Sequence, residues 1–222
     1  MPHSPSRHFD RSRRILLGIG ALVILPRVAL AQPAAPTVPA TVRVLLTTSA
    51  GPITLEVEKD RAPVTAGNFL RYVDQKRLDG TAFYRAVKVQ DGFGLVQGGP
   101  NNAPKRVLPP IAHEPTTRTG LSHKDGTISM ARNAPGTAQG EFFITVGDQP
   151  SMDADPTKPG DNFGFAAFGH VVDGMDVIRH ILDAPTSPTA GPPGMKGQML
   201  DPAVRIVTAR RLAATPAPAT TP

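Results

Sequence analysis

From Val42 onward, apolar and polar residues alternate in short runs, the two-residue period of strands with one buried face. "TVRVLLTTSAGPITLEVEKD" holds two such runs, Val42–Thr48 and Ile53–Glu58, around Ser49-Ala50-Gly51-Pro52, and predicts a hairpin. In the second run Ile53, Leu55 and Val57 share a face expected to be buried. Thr54, Glu56 and Glu58 lie opposite, on a face expected to be wet.

The period then changes. In "APVTAGNFLRYVDQKRLDG", Ala66, Phe69, Leu70 and Val73 fall at helical spacing, and Asp79-Gly80 closes the segment. Short apolar runs follow, separated by Gly, Pro and Asn: "TAFYRAVKV", "GLVQGG", "GTISMAR", "EFFITV" and "AAFGHVV". Asp173-Gly174 opens a second helical stretch in which Ile178, Ile181 and Leu182 share a face. "PAVRIVTARRL" ends the pattern, with Val204, Ile206 and Thr208 on one side. The count is about eight strands and two helices, with no strand–helix–strand repeat. The expected fold is mainly β: a closed eight-stranded antiparallel β-barrel capped by two α-helices, which buries these faces and leaves no sheet edge.

Both ends depart from this pattern. "RSRRILLGIGALVILPRVALAQ" has a basic start, an apolar run from Ile15 to Leu25 and Ala29-Leu30-Ala31 before Gln32. That is the layout of a signal peptide over residues 1–31, cleaved after Ala31. The run is too short for a membrane span, which needs about 20 residues. Ser12-Arg13-Arg14-Ile15-Leu16-Leu17 partly matches a twin-arginine motif, so both that route and ordinary unfolded export stay open. Residues 32–40, "QPAAPTVPA", form a Pro/Ala-rich linker, residues 41–212 the folded domain, and residues 213–222 a disordered tail. The expectation is an exported protein of the periplasm, or a secreted one, with no stable membrane anchor after cleavage.

Composition changes the picture at two points. Of the net charge of +6, the leader contributes +4 through five arginines against Asp10, leaving +2 for the rest. Those charges form no basic stripe, which argues against nucleic acid as a partner. The chain has no Cys, so thiolate chemistry, disulfides and a lipid-modified N-terminal cysteine are excluded. There is neither a G-x-S-x-G elbow nor a phosphate-binding loop. "DADPTKPGD" reads as a solvated turn, since Pro156 and Pro159 interrupt it and no Glu closes it as in a calcium loop.

The remaining chemistry sits in "FYRAV" (83–87), "VQGG" (96–99), "GTISMARNAPGTAQGEFFITV" (126–146) and "FGHVVDGMDVI" (168–178). Together, in this order and spacing, they resemble the cyclophilin family of peptidyl-prolyl cis-trans isomerases, and the resemblance spans most of residues 42–210. It implies an eight-stranded barrel with two capping helices and a binding groove on the outer barrel wall. It further implies the catalytic pair Arg85 and Gln97, with Gln97 hydrogen-bonding near the substrate and helping to hold Arg85, and a proline pocket lined by Phe143, Leu95, Met152 and Phe165. Ala131, Arg132 and Asn133 would form the groove wall, pairing with an extended peptide. Phe142 and Ile144, on the other strand face, are expected in the barrel core.

The chain departs from the family at several positions. Glu141 stands where the family carries Gln; an ionised carboxylate only accepts, so it should meet peptide N–H groups or a cation such as Arg132. Tyr84 replaces a His. The loop before Gln97 is longer, and two alignments compete for the pocket Phe of the family, Phe93 and Gly94. Ser151 falls where many members carry the Trp that contacts cyclosporin, so weak binding of that drug is expected.

The implied reaction is rotation about X-Pro bonds, which breaks no bond and requires no metal or cofactor. Proline-containing polypeptides are the expected partners, the protein is expected to be a monomer, and the expected role is in folding of exported proteins. The alternative is a non-catalytic Pro-peptide-binding or chaperone module on the same barrel.

Overall fold

The computed structural model describes residues 40–101 and 103–213. The signal peptide, nearly all of the linker and nearly all of the tail lie outside the described residues.

The chain opens with the expected hairpin, β1 (Val42–Thr48) and β2 (Gly51–Val57). Ile53, Leu55 and Val57 are fully buried. Glu58 departs from expectation: the strand has ended, and its carboxylate is buried, 4% exposed, and held by Arg61. Helix α1 (Pro63–Asp74) starts with Pro63, whose fixed φ and missing N–H suit a first turn. Its predicted stripe, Ala66, Phe69, Leu70 and Val73, is buried.

β3 (Thr81–Gln90) and β4 (Phe93–Gly99) form a second hairpin. After a long loop comes α2 (Thr116–Thr119), a single turn between Pro115 and Gly120. It adds a third helix to the expected two; four residues are too few to carry a hydrophobic period. β5 (Thr127–Met130) and β6 (Phe142–Val146) are buried on both faces. β7 (Ala166–Asp173) leads into α3 (Met175–Leu182) through Gly174, whose φ of 90° favours glycine. Ile178, Ile181 and Leu182 are buried as expected. β8 (Thr186–Ser187) and the 13-residue β9 (Met199–Arg211) complete the chain.

The antiparallel sheet runs β1-β2-β7-β5-β6-β4-β3-β9 and closes by pairing β9 with β1. It is an eight-stranded barrel; β8 is a two-residue addition on β9. A register shift at Thr47/Thr48 changes the phase of β9, so Ile206 and Ala209 are fully buried rather than an unbroken alternate row through Thr208.

Side chains fill the interior. Phe142 meets Phe83 and Phe69 edge-to-face at 5.7 and 5.6 Å, and Phe69 also contacts Phe168. Phe142 and Ile144 are in this core. Among the described residues the interior is packed, and the room for functional chemistry lies on the outer wall. Among the described residues, no helix is long and apolar enough to cross a membrane.

Candidate active site

One rung of the sheet carries the site. Ser129 on β5 pairs with Phe143 on β6, Phe143 with Gln97 on β4, Gln97 with Arg85 on β3, and Arg85 with Met199 on β9. Strict alternation along β3 would turn Arg85 inward after buried Phe83. A register shift between Phe83 and Arg85 inserts one extra residue, Tyr84, and Ala86 returns to the core. Tyr84 and Arg85 therefore both lie on the outer wall.

Arg85 is held from two sides. Its NH1 donates to Gln97 Oε1 at 2.9 Å. Its Nε and NH2 donate to Gln198 Oε1 at 2.9 and 2.6 Å. Among the described residues these bonds leave one N–H on each terminal nitrogen. Half-burial pulls the guanidinium below its ordinary pKa, yet Arg starts so high that it stays charged near neutrality.

Beside Arg85 opens a cleft of about 420 Å³. Phe143, 4% exposed, forms part of its floor. His123 stacks on one side of that ring, at 6.0 Å and 12°. Phe165 meets it edge-on at 5.3 Å. Leu95 and Met152 add further apolar wall, and Ala131, Arg132 and Asn133 border the cleft with Glu141.

The sequence-implied residues therefore converge on one cleft, with the exception of Phe93. A Cβ on Gly147 would lie 2.6 Å from the Phe93 ring, which packs over that turn at the hairpin end. The competing alignment gives no wall either: a Cβ on Gly94 would lie 2.1 Å from the Val87 carbonyl oxygen and close to Leu182, away from the cleft. Leu95 is the residue of this loop that reaches the cleft.

Arg132 is not the partner of Glu141. It is committed to Asp161, with NH1 and NH2 at 2.6 and 2.9 Å, and to the Gly164 carbonyl, and it lies 5.2 Å over the Phe165 ring. Glu141 instead accepts from the Tyr84 hydroxyl at 2.7 Å. Burial first, then the Glu141 charge, pushes the Tyr84 phenol well above its usual pKa, so it keeps its proton.

Several site residues escaped the sequence reading. Gln198, Pro192, Met195 and Met199 come from the stretch "GPPGMKGQM", which has no hydrophobic period and reads as a plain loop. The Arg85–Met199 register and the Ala86 N–H bond to the Gln198 carbonyl place it here. His123 is fully buried behind the floor, with Nδ1 2.6 Å from Asp153 and Nε2 3.0 Å from Ser129 Oγ. A lone His between Ser122 and Lys124 carries no sequence signal for that role.

Comparison with known proteins agrees with this geometry. Residues 43–210 match the family model "Cyclophilin type peptidyl-prolyl cis-trans isomerase/CLD". The chain is 37% identical to peptidyl-prolyl cis-trans isomerase A of Dickeya dadantii over 79% of this chain and 87% of that one. It is 35% identical to peptidyl-prolyl cis-trans isomerase B of Escherichia coli over 63% of this chain and 83% of that one. Among solved structures, a cyclophilin-type isomerase of Cryptosporidium parvum, in the presence of the dipeptide Ala-Pro, superposes with a TM-score of 0.57. It covers 78% of this chain and 99% of its own at 22% identity, a likeness of fold. The barrel, the rung of outward residues and the match over nearly the whole folded domain lead to one assignment: the chain belongs to the cyclophilin-type peptidyl-prolyl cis-trans isomerases.

Proposed function

We propose that the protein accelerates rotation about X-Pro peptide bonds, with Arg85 as the catalytic residue and Phe143 as the floor of the proline pocket. The observation that carries this is the placement of a twice-anchored guanidinium beside a cleft in which Leu95, Phe143, Met152 and Phe165 form an apolar wall.

Rotation meets a barrier of about 18–20 kcal/mol because the amide is partly double-bonded. In the twisted state the proline nitrogen loses conjugation, turns pyramidal and gains a lone pair. The N–H groups that Arg85 keeps for the cleft donate to that nitrogen and to the proline carbonyl. The bond to the carbonyl orients the guanidinium, and the bond to the nitrogen strengthens on twisting, so the transition state is bound more tightly than either planar form. The apolar walls hold the ring while the preceding residue turns. Lowering the barrier by about 7 kcal/mol corresponds to a rate factor near 10⁵.

The substrate is an extended, proline-containing polypeptide, lying along Ala131 to Asn133 on one side of the pocket. The role is assistance to folding of exported proteins, where prolyl isomerisation is slow; the protein acts as a monomer in the periplasm. The sequence of residues 1–31 supports export. Replacing Arg13 and Arg14 by Lys tests the twin-arginine route; undiminished export removes it. A protease-coupled assay on an Ala-Pro peptide tests the activity. Acceleration over the spontaneous rate is expected; binding of the peptide by titration with no acceleration would favour a module that holds proline segments without turning them over.

A further inference from the structure

Tyr84 and Glu141 replace the usual residues of the family at two separate positions in the sequence, and the fold puts them in contact. The register shift in β3 brings Tyr84 to the outer wall beside Arg85. Its hydroxyl donates to Glu141 Oε2 at 2.7 Å and accepts from Gln97 Nε2 at 2.9 Å. Gln97 Oε1 then accepts from Arg85 NH1 at 2.9 Å. The seat of the carboxylate is kept by a glycine: Gly99 has a φ of 140°, and a Cβ there would lie 2.8 Å from Glu141 Oε2.

The direction of this series matters. A guanidinium only donates and a carboxylate only accepts, whereas an amide and a hydroxyl between them can each do both. Left to itself, the Tyr84 hydroxyl could donate to Gln97 Oε1, and the amide would turn its NH₂ group toward Arg85, donor against donor. With the Tyr84 hydroxyl donating its hydrogen bond to Glu141, it can only accept from Gln97. The amide oxygen is then directed at the guanidinium.

We propose that Glu141 is a positioning residue: acting through the Tyr84 hydroxyl, it fixes the Gln97 amide with its oxygen toward Arg85 and so holds the guanidinium in place for the proline nitrogen. The proposal rests on the isomerase reading above. It also gives the Tyr84 and Glu141 departures a joint reason, since each supplies what the other needs.

The test is a double-mutant cycle on the full chain, with kcat and KM read separately on one Ala-Pro peptide. Tyr84→Phe and Glu141→Leu are each expected to lower kcat about fivefold, with KM changed less than about twofold, as loss of one hydrogen bond in the series allows. In the Tyr84→Phe background, Glu141→Leu is expected to add nothing. Glu141→Gln, which keeps an acceptor, is expected to fall between wild type and Glu141→Leu. Two results would overturn the proposal: a further loss from Glu141→Leu when Tyr84 is already Phe, above all in KM, which would make Glu141 a direct peptide contact, or a Glu141→Gln variant no better than Glu141→Leu. Should Tyr84→Phe fail to fold, the same comparison in a Gln97→Ala background decides it. Failure of the isomerase reading looks different, because wild type would then show no acceleration at all.

Discussion

The Arg132 guanidinium grips the Asp161 carboxylate with both terminal nitrogens while lying over the Phe165 ring, and this contact ties the loop from Asp153 to Phe165 to the cleft wall. The Arg132 side chain is 4% exposed and also donates to the Gly164 carbonyl, so the loop is fixed at two points next to Phe165. Phe165 in turn packs edge-on against Phe143. Arg132→Ala is expected to release Phe165 and raise KM for a proline peptide about three- to tenfold, with kcat changed less. Arg132→Lys should rescue only part of this, because a point charge cannot reproduce the two-pronged bond. Steady-state kinetics on the two variants check it; an unchanged KM in Arg132→Ala would show that Phe165 is held by packing alone.

Gln198 makes two of the three hydrogen bonds that hold Arg85. Hydrogen bonds to a charged group are worth about 1.5–3 kcal/mol each. Gln198→Ala is therefore expected to lower kcat at least about tenfold, as much as Gln97→Ala or more. The measurement is single-peptide kinetics of both variants beside thermal unfolding, to separate misplacement of Arg85 from loss of fold.

Buried His123 imposes a pH dependence on stability. Burial lowers its pKa, with Asp153 partly opposing, while Ser129 and the Phe143 ring complete its surroundings. In the unfolded chain it takes a proton at about pH 6.5. As pH falls below that value the unfolded state binds the proton first, so stability declines until the folded pKa is passed. Thermal midpoints should fall between about pH 7.5 and 5.5, and the fall should be shallower in His123→Gln. Equal slopes in the two proteins would remove His123 as the source.

Cyclosporin should bind weakly. Ser151 is exposed in the turn Pro150–Met152, and the family resemblance aligns it with the Trp expected to contact the drug. Ser151→Trp is expected to tighten binding; nanomolar inhibition of the unaltered protein would contradict the expectation.

Periodicity made the barrel legible in the sequence. The two-residue alternation from Val42 to Val57 and the helical stripes at Ala66–Val73 and Ile178–Leu182 are strong because each buries a continuous apolar face. Where a ladder slips, alternation fails: the shift at Thr47/Thr48 buries Ala209, and the shift at Phe83/Arg85 turns Tyr84 and Arg85 to the same wall. The floor residue Phe143 was legible through the family resemblance of the stretch around it, and the burial of its neighbours Phe142 and Ile144 in the core is consistent with its facing the other way. The partners of Glu141 and Arg132, and the hold of Gln198 on Arg85, were not legible. They depend on loops brought together across 57, 29 and 113 positions of sequence, respectively, and no local pattern encodes them.

Exchange NMR on an Ala-Pro peptide, with wild-type protein beside Arg85→Ala, bears most directly on whether one anchored guanidinium drives the rotation. Wild type should speed cis–trans exchange strongly, and Arg85→Ala should still bind the peptide but lose at least about tenfold of the exchange rate. Equal exchange in the two proteins would contradict the role given to Arg85.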